Sequence, residues 1–80
     1  MAEIKKEFLT QIEKERNCIH EPVEASYTVF EKNGKKYFQI DTYGSSSRQH
    51  KHKISQSIQF DEETADYLVE IIIKELGIKK

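Results

Sequence analysis

The chain has 80 residues, 36% apolar and 34% charged, with a net charge of −1 and one cysteine, Cys18. At this length roughly two-thirds of the extended chain's surface is buried on folding, so residues 1–80 are read as a single domain with a thin core and little room for an internal active-site cavity. One cysteine excludes an internal disulfide framework, and no apolar run approaches the ~20 residues of a membrane span, so a cytoplasmic protein without membrane contact is expected.

Ile4, Phe8 and Ile12 recur at four-residue spacing among charged neighbours, which predicts an amphipathic helix over 3–16. Asn17 and Pro22 interrupt it, so this helix is placed as an appendage to a core at 23–76. From Val23 the period changes to two. Val23, Ala25, Tyr27 and Val29 alternate with Glu24, Ser26, Thr28 and Phe30, as in a half-buried strand. Asn33-Gly34 follows, the preferred pair for a type I′ hairpin turn because both residues tolerate positive φ.

The second strand, 36–43, turns Phe38 and Ile40 to one face and Tyr37, Gln39, Asp41 and Tyr43 to the other. The stretch 44–52 holds no apolar residue and reads as a solvated loop. A third strand over 53–60 turns Ile54, Ile58 and Phe60 inward and Lys53, Ser55, Ser57 and Gln59 outward, with Gln56 an exception on the apolar side. Asp61 is a good N-cap and Gly77 a C-cap for a final helix. Its stripe Ala65, Leu68, Val69, Ile72 and Leu76 is taken as the inward face. Tyr67, Ile71 and Ile73 add apolar surface that either widens the core or mediates a homodimer. The fold expected is α+β: an N-terminal helix, a three-stranded antiparallel β-meander, and a C-terminal helix packed on one sheet face.

Charge is segregated along the chain. Residues 1–31 sum to −3, 32–53 to +5 and 54–80 to −3, so an anionic ligand gains Coulomb energy only at the middle segment. Metal binding would draw on Cys18, His20, His50 and His52, whose spacing matches no zinc site. Cys18 has no identifiable orienting partner, and Asp41 would have to borrow Glu24 for paired acid/base work. Asp41 is better read as a polar-network residue pairing with Arg48 or Lys53. No catalysis, cofactor or metal is expected.

The outward sheet face is aromatic, hydroxylic and basic-edged. Those are the elements single-stranded nucleic acid requires: π surfaces for bases, cations for phosphates and small polar groups for close approach. The same composition also suits any solvated face of an antiparallel sheet.

The runs Tyr37-Phe38-Gln39-Ile40-Asp41-Thr42-Tyr43 and Ile58-Gln59-Phe60-Asp61-Glu62-Glu63, with the polar stretch between them and the terminal helix, resemble the bacterial positive-cofactor-four-like family. Its members are single-stranded-DNA-binding transcriptional coactivators. The likeness covers roughly residues 23–76. It departs at Lys53-Ile54-Ser55-Gln56-Ser57, where the family has Lys-Gly, and at Thr42, where it commonly has Arg. It implies a curved antiparallel sheet facing single-stranded DNA, a homodimer through the C-terminal helix, and roles for Asp41, Tyr43, Arg48, Lys51 and Lys53. Residues 40–48 and 55–59 also resemble short bacterial and phage proteins often called methionyl-tRNA formyltransferase. Formyl transfer needs a folate pocket and acid/base machinery that this composition does not supply, so that likeness implies a small module and not an enzyme.

The function expected is therefore a non-catalytic homodimer binding single-stranded DNA or RNA. Lys35, Lys36, Arg48, Lys51 and Lys53 are assigned to phosphates, Tyr37 and Tyr43 to bases, and Gln39 to the same face. The alternative is a protein-interaction module or mobile-element inhibitor that uses the sheet edge, the loop or the spare helix surface.

Overall fold

A computed structural model describes residues 1–44 and 53–80. The fold is α+β, a four-stranded mixed sheet followed by one helix. Strand β1 is Ala2–Glu3, a 3₁₀ turn covers Lys6–Phe8, and strands β2 (Ala25–Lys32), β3 (Lys35–Tyr43) and β4 (Ile54–Asp61) precede helix α1 (Glu62–Leu76). The sheet order is β1-β4-β3-β2.

The hairpin forms where Asn33-Gly34 predicts it. Asn33 has φ 55° and Gly34 φ 77°, so both central residues sit in the left-handed region that a type I′ turn demands. That turn sets the pairing Lys32–Lys35, and the ladder runs from there through Thr28–Gln39 to Ala25–Thr42. On the other side of β3, Phe38 pairs with Phe60 and Ile40 with Ile58. A register shift between Thr42 and Tyr43 brings Tyr43 opposite Ile54.

The predicted N-terminal helix is replaced by the short strand β1, the 3₁₀ turn and an irregular run. β1 pairs in parallel with β4, Ala2 beside Ile58 and Glu3 beside Gln59, and the Ile4 N–H donates to the Gln59 carbonyl at 2.8 Å. The three-stranded antiparallel meander is thereby extended to a mixed sheet of four. The physical reason lies in competition for backbone groups. A lone helix of about 14 residues is marginal in water, and the free edge of β4 offers the chain start hydrogen bonds that the helix would otherwise have to supply itself. Phe8 and Ile12, two of the residues that predicted the helix, are exposed.

The C-terminal helix begins and ends as read. The Asp61 carboxylate accepts from the Thr64 N–H at 2.9 Å, and Gly77 closes the helix at φ 65° with its N–H donating to the Ile73 carbonyl. Its orientation differs from the expectation. Thr64 is buried at 1% exposure, and its hydroxyl accepts from the Lys6 N–H at 3.0 Å. This anchor rotates Thr64, Leu68 and Ile71, spaced i, i+4, i+7, toward the rest of the molecule. Val69, Ile72 and Leu76, read as inward, are exposed instead. Helix α1 touches β3, β4 and the 3₁₀ turn.

The helix leaves much of the apolar sheet face open, since Tyr27, Val29, Ile40 and Ile58 on it are all exposed. Gln56 is exposed as well, so its place on that face requires no buried partner. Across this face the rings of Tyr27, Phe38 and Phe60 stack in succession, with centroids 5.2 and 5.6 Å apart. No helix among the described residues is long and apolar enough to cross a membrane.

The Asp61 carboxyl is held below its ordinary pKa, chiefly by the Thr64 N–H donating to it; burial opposes this, while the Thr64 hydroxyl and the positive charges of Lys35 and Lys5 assist. A depressed folded-state pKa contributes stability above the unfolded value of about 3.9, and that contribution is lost as pH falls through the folded value. Asp61→Ala is expected to cost about 1 kcal/mol in urea melts at pH 7. The gap between wild type and variant is expected to narrow below about pH 4. An undiminished gap at pH 3 would contradict the cap.

Candidate nucleic-acid interface

Alternation along β3 puts Lys35, Tyr37, Gln39, Asp41 and Tyr43 on one face. The register adds Ser26, Thr28 and Phe30 from β2 and Ser57, Gln59 and Asp61 from β4. This is the face read from the sequence as the outward one. Its centre is a chain of side-chain hydrogen bonds. Gln59 Nε2 donates to Gln39 Oε1 at 2.8 Å, Gln39 Nε2 donates to Asp41 Oδ1 at 2.9 Å, and the Ser57 hydroxyl donates to the same Asp41 oxygen.

Asp41 is 7% exposed, one of only two buried side chains among the described residues. Of the partners expected for it, Arg48 lies outside the described residues and Lys53 makes no such contact; among the described residues its partners are Gln39 and Ser57. Each of these donors sits on an adjacent same-face position, two residues along β3 or directly across on β4. The Asp41 carboxylate orients the Gln39 amide, whose oxygen is then presented to Gln59, so three strand positions share one ordered polar lattice.

Aromatic groups flank this lattice. Tyr37 stacks on Phe30 with centroids 5.3 Å apart and planes 12° from parallel. At the other end the Tyr43 and Ser26 hydroxyls are hydrogen-bonded at 2.8 Å. Phe30 was not among the candidate site residues. Its alternation with Ser26 and Thr28 was the available signal, and its pairing opposite Tyr37 brings it to this face.

The cations divide. Lys35 shares the face and lies beside Tyr37, while Lys36 pairs with Glu31 and alternates onto the side of Phe38 and Ile40. Lys53 precedes Ile54, the partner of Tyr43, and so flanks the opposite end. Arg48 and Lys51 lie outside the described residues, as do His50 and His52. Ile54, read as inward, instead lines a shallow groove with Glu3, Gln39, Ser57 and Gln59, because the register shift reverses its side.

Cys18 and His20 are exposed in the irregular run before β2. Among the described residues no three His, Cys, Asp or Glu side chains come together as a metal site would require. No family model, curated protein or solved structure matches the chain.

Removing the Asp41 acceptor strands two part-buried donors. Asp41→Ala is therefore expected to cost about 2 kcal/mol in urea melts, and Thr28→Ala on the same face less than about 0.5 kcal/mol. Equal losses would show that the lattice contributes nothing beyond ordinary surface.

Proposed function

We propose that this protein is a non-catalytic, cytoplasmic binder of single-stranded nucleic acid that uses the polar-aromatic face of its sheet. The observation carrying the reading is the register. It brings Tyr37 and Tyr43 onto one face, separates them by an ordered run of amide and hydroxyl groups, and puts Lys35 beside Tyr37, while Lys53 is the chain neighbour of Ile54 at the Tyr43 end. Bases stack on aromatic rings whatever their identity, while side-chain amides present both donors and acceptors to base edges. In this reading Tyr37 and Tyr43 take bases, Gln39 and Gln59 contact base edges, and Lys35 and Lys53, with Arg48 and Lys51, take phosphates. Lys36 is removed from the set because it alternates to the other side. The resemblance of 37–43 and 58–63 to positive-cofactor-four-like proteins carries the same expectation.

A second reading, a protein-interaction module, is favoured by one specific feature. The Asp41 carboxylate sits in the middle of the face, where a phosphate path would meet like charge. The two readings separate on titration of a labelled 15-nucleotide oligothymidine. Single-strand binding predicts micromolar or tighter affinity in low salt that weakens roughly tenfold or more between 50 and 200 mM salt. Tyr37→Ala and Tyr43→Ala should each weaken it by about fivefold or more, and Lys36→Ala should leave it nearly unchanged. No binding at micromolar protein in low salt would end the nucleic-acid reading and favour the second.

A further inference from the structure

The polar lattice has a direction. An ionised carboxylate only accepts hydrogen bonds, so Asp41 obliges the Gln39 amide to face it with nitrogen, which leaves the Gln39 oxygen for Gln59. Gln59 in turn meets that oxygen with its own amide nitrogen at 2.8 Å. In both amides the nitrogen is turned toward Asp41, so the chain opens at its far end on an oxygen, Gln59 Oε1.

Strand β1 adds a carboxylate beside that end. Glu3 pairs with Gln59 in parallel register, and partners in a parallel ladder project to the same side. Glu3 therefore shares the polar face, its backbone one strand spacing, about 4.8 Å, from that of Gln59. Among the described residues it enters no ion pair. Glu3 and Gln59 line one groove of about 380 Å³, together with Gln39, Ser57 and the apolar Met1 and Ile54. That volume is at the lower end of the roughly 300–1,000 Å³ of small-molecule clefts.

We propose that this groove is a guanine-selective subsite of the single-strand-binding face, with Glu3 as the residue that reads the base. The inference rests on the nucleic-acid reading above and adds a preference to it. A ligand lying between Glu3 and Gln59 Oε1 has to bring adjacent donors. The Watson–Crick edge of guanine carries N1–H and the 2-amino group side by side, and the two oxygens of one carboxylate accept them as a pair. Thymine sets its single N–H between two carbonyl oxygens, while cytosine and adenine set one amino group beside a ring nitrogen that accepts. Each of these turns an acceptor toward the carboxylate, and that mismatch supplies the discrimination. Met1 and Ile54 offer apolar contact to the faces of a flat ring, which a simple ammonium ion would not use. Gln39 lies two residues from Tyr37 on β3, so the groove continues the face on which bases are placed.

The test titrates the full chain with labelled 15-nucleotide oligothymidine and with the same strand carrying guanine, hypoxanthine or adenine at every third position, so that each register offers one. Guanine is expected to tighten binding by about fivefold or more. Hypoxanthine, which keeps N1–H and O6 but lacks the 2-amino group, should forfeit most of that gain, and adenine should gain nothing. Glu3→Gln is isosteric, sits at an exposed position and exchanges an acceptor for a donor; it is expected to bring the guanine-to-thymine ratio to about twofold or less. Because the readout is a ratio, a general change in affinity from the lost charge does not enter it. Equal affinity for guanine and thymine strands, with both bound, would overturn the subsite and leave the single-strand reading intact. A full guanine preference that survives hypoxanthine or Glu3→Gln would overturn the assignment to Glu3. Binding of neither strand would overturn both readings and leave the acceptors to a protein partner bearing guanidinium groups.

Discussion

Everything in this structure depends on the register of the β2–β3 hairpin. Side chains alternate with period two, so a slip of one residue would move Phe38 and Ile40 to the polar side and Gln39 and Asp41 to the apolar side. Asn33 and Gly34, both at positive φ, pin the pairing at Lys32–Lys35. On the other edge of β3, Gln39 pairs with Gln59 and Phe38 with Phe60, which carries the same two-sided division into β4. The turn is two residues long, yet it determines which side chains of β2 and β3 meet on each side of the sheet.

The second organising point is the junction at Asp61 and Thr64. The Asp61 carboxylate closes the helix start, and Thr64, one turn in, ties the helix to the Lys6 backbone. An ion pair between Lys6 and Glu63 at 3.7 Å lies over the same place, but both side chains are well exposed and it adds little. The backbone-to-hydroxyl contact therefore sets which stripe of α1 faces inward. With Thr64, Leu68 and Ile71 committed inward, Val69, Ile72 and Leu76 are turned out, and the apolar sheet face stays open at Ile40 and Ile58.

The two sides of the sheet thus differ in kind. One is a satisfied polar lattice bounded by aromatic rings, in which Asp41, Gln39, Gln59 and Ser57 restrain one another's rotamers. A preordered face loses little side-chain freedom when a ligand arrives, which is the property a recognition surface gains from such a lattice. The other side is a ladder of stacked rings and aliphatic groups left in solvent. Polar groups that are paired tolerate exposure or burial, whereas exposed apolar groups gain free energy only when covered.

The sequence by itself determined the local features. The hairpin turn, three of the strands, the alternation that groups Tyr37, Gln39, Asp41 and Tyr43, the Asp61 cap and the Gly77 stop are each written in a few adjacent residues, because they depend on φ preference, side-chain period and short-range hydrogen bonds. The tertiary structure alone decided what those elements meet. Ile4, Phe8 and Ile12 carry a helical period, but the open edge of β4 captures Ala2 and Glu3, and nothing local announces that competition. Ala65, Val69, Ile72 and Leu76 form as regular a stripe as Leu68 and Ile71, and only the long-range contact of Thr64 with Lys6 chooses between them. The partners of Asp41 likewise became legible only once β4 lay beside β3, since Ser57 is sixteen residues away along the chain. Period and propensity report which faces exist; which face is covered depends on contacts between distant segments, and those are set by the fold as a whole.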